Sequence, residues 1–376
     1  MARGAPRVAI VHYWLVGMRG GERVVERMLR TVPQADIFTH VVDPARLSDT
    51  LRARPIRTSF IQKLPAATRR YQFYLPLMPL ALEELDLSGY DLVISSESGP
   101  AKGVITAPGV EHLCYCHSPM RYLWDHYHQY AATVGPASRM AMRLFYHYLR
   151  GWDVTSAARV DTILANSSFI QARVRKVWRR EAEILHPPVD VSAFAPAARG
   201  DVGTEFLWVG QMVAYKRADL AVDAFNALGL PLTMVGDGKM LAQLKRRARP
   251  NIRFIERLSY AELRQAYARC RALIFTAEED FGIVPVEANA SGRPVIAFGR
   301  GGIVDSVVPG RTGLFFDEQT PEALIEAVRA FERWQPDFDA AAAMANARRF
   351  APERFDEGFR AAVDRALGRA VTAAAA

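Results

Sequence analysis

The sequence has few cysteines and no long hydrophobic run. Its 376 residues include three cysteines, Cys114, Cys116 and Cys270, which is too few for a disulfide framework and is typical of a reducing compartment. No further Cys or His pair follows Cys114 and Cys116 at zinc-binding spacing, so we expect buried thiols there. No segment approaches the roughly 18 apolar residues of a membrane span, and the first residues lack a signal-peptide pattern. These absences favour a cytoplasmic protein.

Acidic residues are scarce in the first half of the chain relative to basic ones. Residues 1–190 carry 24 Lys and Arg against 17 Asp and Glu, whereas residues 191–376 carry 24 against 23. The first half therefore favours an anionic neighbour, which could be a membrane surface, a phosphorylated substrate or nucleic acid. No helix-turn-helix, zinc-finger or RNA-binding aromatic motif occurs, so we expect no nucleic-acid partner.

Two glycine-rich stretches, LVGMRGGER (15–23) and FGRGGIVDS (298–306), lack the G-x-G-x-x-G spacing of a dinucleotide site. In that motif the glycines permit a tight turn and a close approach of the backbone to the pyrophosphate. Their spacing here disfavours a nucleotide-dependent dehydrogenase.

Short apolar runs alternate with helical patterns along the whole chain. The strand-like runs are 7–14, 36–42, 91–96, 111–117 and 162–167, then 206–210, 232–236, 251–255, 271–277, 294–298 and 314–316. Several are apolar without alternation, which is typical of a parallel sheet covered on both faces. The repeated β-α units predict an α/β protein with two doubly wound, Rossmann-like parallel-sheet domains in tandem. A ligand site between the domains, beyond the carboxyl ends of the strands, is the expectation for such sheets.

The proline-rich stretch 186–200 predicts the boundary between the two domains. We expect an N-terminal domain at 1–188, a linker at 189–200 and a C-terminal domain at 201–350. We also expect a C-terminal helix at 351–376 that packs back toward the N-terminal domain, with a frayed Ala-rich tail.

The loop after the strand-like run 271–277 carries two carboxylates, Glu279 and Glu287. Pro285 suits the first turn of a helix, which places Glu279 at the strand tip and Glu287 one turn inside the helix. The helix start would offer backbone N–H groups to an anion such as a diphosphate, those of Gly282, Ile283 and Val284. Ionised carboxylates accept hydrogen bonds from hydroxyl groups. One carboxylate bound to a ribose and the other bound to a hexose would therefore hold a nucleotide sugar from both sides.

The pattern E-x7-E within EDFGIVPVEA, followed by SGRPVIAFGRGG and GRTGLFF, resembles the donor-binding signature of retaining GT-B glycosyltransferases of family 4. The resemblance continues in WVGQMVAYKRADLAVDAF, in ANSSFIQARV with HPPVD, in CHSPMRYLW and in HYWLVGMRGGERVVERM. It covers nearly the whole chain in the family's order. The subgroup that the chain resembles is the bacterial mannosyltransferases of O-antigen and exopolysaccharide assembly.

This resemblance implies a GT-B fold, with two Rossmann-like domains facing a central cleft. The N-terminal domain would bind the acceptor and the C-terminal domain the nucleotide-sugar donor. The expected reaction moves a hexose with retention of configuration, mannose from GDP-mannose first, to a lipid-linked or soluble saccharide acceptor. UDP-glucose or another UDP sugar is the alternative donor. A non-catalytic nucleotide-sugar-binding protein is the alternative of another class.

The resemblance also implies roles for individual residues. Glu287 would bind the ribose, and Glu279 would meet the transferred sugar and diphosphate. Lys216 would neutralise the departing diphosphate, and His117 would contact the hexose through its neutral imidazole or its backbone carbonyl. The expected catalytic residues are thus His117, Lys216 and Glu279. The expected donor-binding residues are Gly210, Gln211, Lys216, Arg217, Glu279, Phe281, Gly282, Ile283, Val284 and Glu287.

The chain departs from the family pattern at two positions. The family usually has an arginine at the place of Gln211, so one of two expected cations is absent, and Arg217 is the candidate replacement. The family also often has glycine where Asp280 stands, which would change sugar contacts.

Two further segments carry candidate roles. Gly20, Gly21 and Glu22 open a helix and could approach an acceptor or a diphosphate, although such a pair of glycines usually means a tight turn. GT-B enzymes of this kind need no metal cofactor. Asp337-Phe338-Asp339 spells D-x-D, the metal motif of a different transferase fold, and we expect no metal there.

Residues 52–85 combine cations with an aromatic and apolar run. The cations are Arg52, Arg54, Arg57, Lys63, Arg69 and Arg70, and the aromatic residues are Tyr71, Phe73 and Tyr74. One interpretation is an anionic membrane interface on the inner face of the cytoplasmic membrane. The other is a solvated basic face beside a buried helix, and the sequence leaves both open.

Overall fold

The computed structural model describes residues 5–132 and 135–373. It divides the chain into two compact units, of which the first comprises residues 1–186 and 355–376 and the second residues 187–354. The first unit is therefore built from two separate stretches of chain.

In the described part of the chain thirteen strands form two sheets. They are β1 (Val8–His12), β2 (Asp36–Thr39), β3 (Ile56–Thr58), β4 (Leu92–Glu97), β5 (Glu111–Cys116), β6 (Thr162–Ala165), β7 (Glu183–Ile184), β8 (Phe206–Val209), β9 (Leu232–Val235), β10 (Ile252–Ile255), β11 (Leu273–Phe275), β12 (Val295–Phe298) and β13 (Gly313–Phe316). The first sheet has the order β3-β2-β1-β4-β5-β6-β7 and the second β10-β9-β8-β11-β12-β13. All pairings between these strands are parallel, so each unit is a Rossmann-like doubly wound sheet.

The α-helices are α1 (Gly20–Thr31), α2 (Asp49–Arg52), α3 (Ala67–Arg70), α4 (Met78–Glu83), α5 (Tyr127–Ala132), α6 (Pro136–Ala157), α7 (Ser168–Trp178), α8 (Ala218–Leu228), α9 (Leu241–Arg247), α10 (Tyr260–Arg269), α11 (Ile283–Ala290), α12 (Ile303–Ser306), α13 (Pro321–Trp334), α14 (Ala340–Ala347) and α15 (Pro352–Ala373). Within the described ranges no helix is long and apolar enough to cross a membrane.

The apolar runs of the first sheet bury side chains on both of its faces. In β1, Val8 and Ile10 belong to one hydrophobic cluster, whereas Ala9 and Val11 belong to another. Successive side chains of a strand point to opposite faces. Two packed faces therefore explain why β1 is apolar without alternation.

Helix α15 completes one face of the first unit. Phe355 and Phe359 are fully buried in the cluster that contains β1 side chains. Arg27 of α1 donates two hydrogen bonds to the carboxylate of Asp356, with an Nη2–Oδ2 distance of 2.5 Å. The C-terminal helix is thus a structural part of the first unit.

The structure differs from the sequence interpretation at several boundaries. The short edge strands β3 and β7 were not expected, and α11 begins at Ile283, two residues before Pro285. The stretch 189–200, expected as a linker, lies within the second unit. There Val189 N donates to Phe350 O at 2.9 Å, and Val189 and Phe194 are buried. Burial of apolar side chains in this stretch fixes it against the second unit.

Candidate functional site

The loop after β11 is fixed by contact with a pair of glycines. Gly302 N donates to Glu279 O at 2.8 Å, and Glu279 forms a bridge with Gly301. Gly301 has a φ of +88°, and a Cβ added there would lie 2.5 Å from Glu279 O. Only glycine permits this approach, so the backbone position of Glu279 depends on it.

Glu279 forms an ion pair with Lys216 inside the second unit. Lys216 Nζ donates to Glu279 Oε1, and both side chains are largely buried. The backbone of Lys216 is fixed by Thr276, whose Oγ1 donates a hydrogen bond to Lys216 O at 2.7 Å. The same Oγ1 accepts a hydrogen bond from Trp208 Nε1 at 3.1 Å. The sequence expected Lys216 and Glu279 in one site, and the structure brings them into direct contact.

Gly282 starts helix α11 immediately after this loop. It has a φ of +87°, which favours glycine, and it is the N-cap residue of the helix. Phe281 is buried, with its ring centroid 5.3 Å from that of Phe350. The Phe281 side chain therefore anchors the turn, and the first-turn N–H groups of Ile283 and Val284 lie at a helix start that favours an anion.

Glu287 is oriented by a tyrosine that the sequence interpretation did not include. Tyr267 Oη donates to Glu287 Oε2 at 2.8 Å, and the tyrosine is fully buried in α10. Burial and then the Glu287 carboxylate raise the pKa of the Tyr267 phenol well above its usual value. The phenol is therefore a permanent donor to Glu287. Its only sequence signal was a tyrosine on the buried face of a helix.

Gly210 and Gln211 line a cavity of about 310 Å³ at the carboxyl ends of β8, β9 and β10. A Cβ at Gly236, which follows the neighbouring strand β9, would lie 2.0 Å from Gly210 O. Gly236 and Gly238 have φ values of +137° and +146°, so this stretch requires glycine. The motif GDG was a signal that the sequence interpretation passed over.

Arg217 is directed to a neighbouring carboxylate. It has a φ of +52° at the start of α8 and lies 3.3 Å from Asp219 through Nε and Oδ1. The expected replacement for the cation absent at Gln211 is thus engaged in an ion pair with Asp219. Asp280 lies in the same loop as Glu279, directly before Phe281.

His117 follows β5 in the first unit and belongs to a chain of three side chains. Ser96 Oγ lies 2.9 Å from His117 Nε2 and 3.0 Å from Nδ1 of the fully buried His12. Burial lowers the pKa of His117 to about 4. Burial, and then His117, lower the pKa of His12 well below its usual value. Both imidazoles are therefore neutral at pH 7.

The hydrogen-bond pattern assigns the protons of this chain. His12 Nε2 is buried and has no hydrogen-bond partner in the described residues. A proton there would bury an unpaired N–H donor, so we place it on Nδ1, from which it is donated to Ser96 Oγ. The Ser96 hydroxyl then donates to His117 Nε2. The proton of His117 consequently lies on Nδ1.

The backbone of His117 is already bonded within the first unit. His117 N donates to Glu97 O at 2.8 Å, and His117 O accepts from Asn166 Nδ2 at 3.0 Å. The resemblance implied that either the imidazole or the backbone carbonyl of His117 contacts the hexose. The carbonyl already accepts a hydrogen bond from a protein group. The imidazole Nδ1–H remains the better candidate for a ligand.

A buried ion cluster supports the strand end beside His117. Lys102 Nζ donates to Glu97 Oε1 at 3.2 Å and to Asp153 Oδ1 at 2.5 Å, and all three side chains are fully buried. Burial opposes the charge of Lys102, but the carboxylates of Asp153 and Glu97 outweigh it and raise the Lys102 pKa. Removing one member would leave a buried charge uncompensated.

The start of α1 has a tight packing requirement. A Cβ at Gly21 would lie 2.4 Å from the Tyr13 hydroxyl and 3.3 Å from His12 Cε1. Glu22 is buried and accepts from Arg19 N at 2.9 Å, which caps the helix. Burial raises the pKa of the Glu22 carboxyl. Gly21 thus lets the helix start approach His12, whereas a Cβ added at Gly20 would meet no atom within 4 Å and the Glu22 carboxylate has a capping role.

The residues considered as metal ligands have other functions in the fold. Asp339 Oδ1 accepts from Ala341 N at 2.8 Å and caps α14. Cys114 and Cys116 are buried free thiols, and burial raises the pKa of Cys114 to about 12. Over residues 5–132 and 135–373 no group of three His, Cys, Asp or Glu side chains is arranged to hold a metal.

Two family models match the chain. Residues 18–193 match the model described as Glycosyltransferase Family 4, and residues 197–349 match Glycosyl transferases group 1. The chain belongs to glycosyltransferase family 4. Its two Rossmann-like sheets and its structural neighbours identify the fold as GT-B.

Similar proteins include a GDP-mannose-dependent enzyme and a protein crystallised with UDP-glucose. An uncharacterised glycosyltransferase of Methanocaldococcus jannaschii is 27% identical over 45% of this chain and 48% of its own length. A GDP-mannose-dependent alpha-mannosyltransferase of Mycobacterium tuberculosis is 32% identical over 52% of this chain and 54% of its own. The matches thus span about half the length of these curated relatives. The crystal structure of Anabaena Alr3699/HepE with UDP-glucose aligns with a TM-score of 0.68 and 16% identity over 96% of this chain and 99% of that one.

Proposed function

We propose that this family 4 member is a retaining hexosyltransferase that moves mannose from GDP-mannose to a saccharide acceptor in surface polysaccharide synthesis. The observation that carries the proposal is the Lys216–Glu279 ion pair, three residues before the helix start at Gly282. It brings a cation from the segment after β8 to the carboxylate on the loop that leads into the anion-binding helix start of α11. A donor diphosphate and its sugar need these three groups.

In the proposed mechanism the second unit holds the donor. Glu287, oriented by Tyr267, accepts hydrogen bonds from the ribose hydroxyls. Lys216 and the N–H groups at the start of α11 stabilise the charge that grows on the leaving diphosphate. The acceptor hydroxyl attacks on the face from which the diphosphate departs, and the diphosphate oxygen takes its proton. The resemblance implies that His117 contacts the transferred sugar, and Nδ1–H is the donor we assign to that contact.

GDP-mannose is the proposed donor because the mannosyltransferase relative is 32% identical. UDP-glucose is the alternative, since Alr3699/HepE was crystallised with it. The test is a calorimetric titration of GDP-mannose, UDP-glucose and NAD into the wild type and Glu287→Ala. We expect GDP-mannose binding that Glu287→Ala removes. Binding of UDP-glucose alone would replace the donor assignment, and nucleotide-sugar binding unaffected by Glu287→Ala would contradict the site.

We propose that transfer requires no metal ion, with Lys216 supplying the positive charge. The expected result is an unchanged transfer rate after treatment with EDTA and after addition of Mg²⁺. A rate that EDTA abolishes and Mg²⁺ restores would contradict this part of the proposal.

A nucleotide-sugar-binding protein without transferase activity is the second candidate. The observation that favours it is the Arg217–Asp219 ion pair. Arg217 is the cation expected to compensate for Gln211, and its charge is already paired with Asp219. Slow hydrolysis of the donor in the absence of acceptor distinguishes the two. We expect measurable hydrolysis that Lys216→Ala reduces, and complete stability of bound donor would favour the second candidate.

We also propose a lipid-linked acceptor at the inner face of the cytoplasmic membrane. Phe73 is 80% exposed, and Leu77 and Leu80 beside it are also exposed, as an interfacial segment requires. In liposome flotation at low salt, we expect greater recovery with phosphatidylglycerol than with phosphatidylcholine vesicles. Phe73→Ser should reduce that recovery. Equal recovery with both lipids would contradict the membrane assignment.

A further inference from the structure

A pocket of about 430 Å³ in the first unit has no role in the assignments above. Its walls combine three arginines with one acidic residue, one hydroxyl and one aromatic ring. It is lined by Val16, Arg19, Asp43, Arg46, Thr68, Arg69 and Tyr71. We call it the arginine pocket.

The arginine pocket lies where a doubly wound sheet places its ligands. Its lining residues come from the three segments that follow β1, β2 and β3, and these strands are neighbours in the order β3-β2-β1. The carboxyl ends of parallel strands meet at one edge of a sheet, and ligands of such sheets bind beyond that edge. The pocket therefore lies at the functional edge of the first sheet.

The pocket carries more positive than negative charge. Arg46 Nε lies 3.4 Å from Asp43 Oδ2. Neither Arg19 nor Arg69 has a carboxylate within 4.0 Å in the described part of the chain. One guanidinium group in an ion pair and two outside ion-pair distance of a carboxylate thus line one small volume, and Glu22 interacts with Arg19 at longer range. The mutual repulsion of the guanidinium groups is relieved by an anion, and the guanidinium fork matches phosphate oxygens geometrically.

The wall that supplies Arg69 is held in an unusual conformation. Ala66 has a φ of +53°, a left-handed conformation that a residue with a Cβ adopts at a cost. Two and three residues later Thr68 and Arg69 line the pocket. The Tyr71 ring packs on Trp14, with 4.7 Å between centroids, which fixes the end of this wall. Strain of this kind, retained in a packed segment, is typical of ligand-binding positions.

A solvated basic surface is the simpler explanation of exposed arginines. It does not account for their convergence from three separate segments on one open pocket, or for the strained backbone at Ala66. We propose that the arginine pocket binds a phosphate or diphosphate group of the acceptor. This inference rests on the proposed function, because only a transferase has an acceptor.

The test measures binding of inorganic pyrophosphate by calorimetry at low ionic strength. Saturating GDP first fills the diphosphate site of the second unit. The variants are Arg69→Gln and Arg19→Gln, and the matched control is Arg70→Gln, which removes the same charge from a neighbouring residue outside the pocket. We expect each pocket variant to weaken pyrophosphate binding about tenfold and the control to leave it unchanged. Equal weakening by Arg70→Gln, or no weakening by Arg69→Gln, would overturn the proposal.

A kinetic comparison separates the acceptor from other sources of phosphate. With an acceptor that carries a diphosphate, Arg69→Gln should raise the acceptor KM about tenfold at unchanged kcat; with the dephosphorylated acceptor it should change neither. If the variant instead loses binding to phosphatidylglycerol vesicles while its pyrophosphate affinity is kept, the pocket binds lipid headgroups and the proposal fails.

Failure of the proposed function is recognised separately. If neither GDP nor UDP sugars bind, the proposed function is contradicted, and pyrophosphate is then titrated into Lys216→Ala without nucleotide. In that background, affinity that still depends on Arg19 and Arg69 supports the anion site, and affinity independent of both residues overturns it.

Discussion

At the scale of single residues, the second unit offers one direct test of electrostatic catalysis. Lys216 is held by Glu279 and by the Thr276 hydroxyl on its backbone, so its removal changes charge without dismantling a helix or strand. In the proposed mechanism Lys216 stabilises the negative charge that grows on the leaving diphosphate during the reaction.

We expect Lys216→Ala to lower kcat by about 10²–10³-fold, because a charge-stabilising group positioned for the transition state has effects of this size. The affinity for donor should change less than kcat. Steady-state kinetics with saturating acceptor measure both. Lys176→Ala, an exposed lysine on α7, is the control and should leave both constants unchanged; a Lys216→Ala rate near that control would remove Lys216 from the mechanism.

In the first unit, neighbouring serines provide a matched pair. Ser96 bonds His12 and His117, whereas the Ser95 hydroxyl bonds His112 Nε2 at 2.8 Å on the opposite face of β4. Ser96 is a positioning residue, since it acts through His117. Its loss should change the tautomer of His117, while the loss of Ser95 should not.

We expect Ser96→Ala to lower kcat/KM about tenfold, the value of one hydrogen bond, and to shift the ¹⁵N resonances of His117 toward a mixture of tautomers. Ser96→Thr, which keeps the hydroxyl, should restore both, and Ser95→Ala is the control. An unchanged ¹⁵N spectrum in Ser96→Ala would mean that another group sets the tautomer.

At the scale of helices and strands, the sequence predicted the elements that carry long apolar runs. The central strands were found because their side chains are buried on two faces. Strands β3 and β7, with three and two residues, are short edge strands fixed by pairing with β2 and β6. Local composition does not encode such pairing.

The candidate site was predictable where it lies within one continuous motif. Glu279, Gly282 and Glu287 share a loop and helix, so spacing sufficed to place them. The His12–Ser96–His117 chain was not predictable, because its members lie on β1, on β4 and directly after β5. Tyr267 and the Arg217–Asp219 pair likewise depend on side-chain directions that sequence spacing does not give.

Helix α15 allows a test of how the first unit is held together. Phe359 is fully buried against the first sheet, whereas Phe73 is 80% exposed. Removing a buried phenylalanine side chain costs about 3–5 kcal/mol, so Phe359→Ala should lower the unfolding free energy of the first unit by that amount. Urea unfolding followed by circular dichroism measures it. Phe73→Ala is the matched control, and equal effects of the two substitutions would contradict the packing of α15.

At the scale of the whole molecule, the two units differ in histidine content. All eight histidines lie between residues 12 and 186, and residues 187–354 contain none. Burial lowers the pKa of His40 to about 4 and, with nearby Lys102 and Arg159, that of His112 to about 3. His12 and His117 are lowered as well, chiefly by burial.

These pKa values predict which unit is sensitive to acid. A histidine whose pKa is lower in the folded than in the unfolded state binds protons preferentially when unfolded. Its contribution to stability is therefore complete above about pH 6.5 and is lost as the pH falls toward 4. Glu22 and Glu97, whose pKa values burial raises, act in the opposite direction.

We expect the first unit to lose about 2 kcal/mol through His40, whose folded pKa is about 4, between pH 7 and pH 5, with a loss of the same sign from the other buried histidines. The second unit should change little over this interval. Hydrogen exchange with mass spectrometry, compared for peptides from β5 and β12 after correction for intrinsic rates, measures the difference. Equal loss of protection in both peptides would contradict the assignment to histidine.

The division of the first unit into residues 1–186 and 355–376 has a consequence during synthesis. A ribosome releases the chain from its amino end, so all of the second unit emerges before Phe355 and Phe359. Until then, the face of the first sheet that α15 covers stays open to water, and the nascent protein presents apolar side chains to chaperones or to other chains. The second unit, which is continuous, has no such delay and can acquire its native packing first.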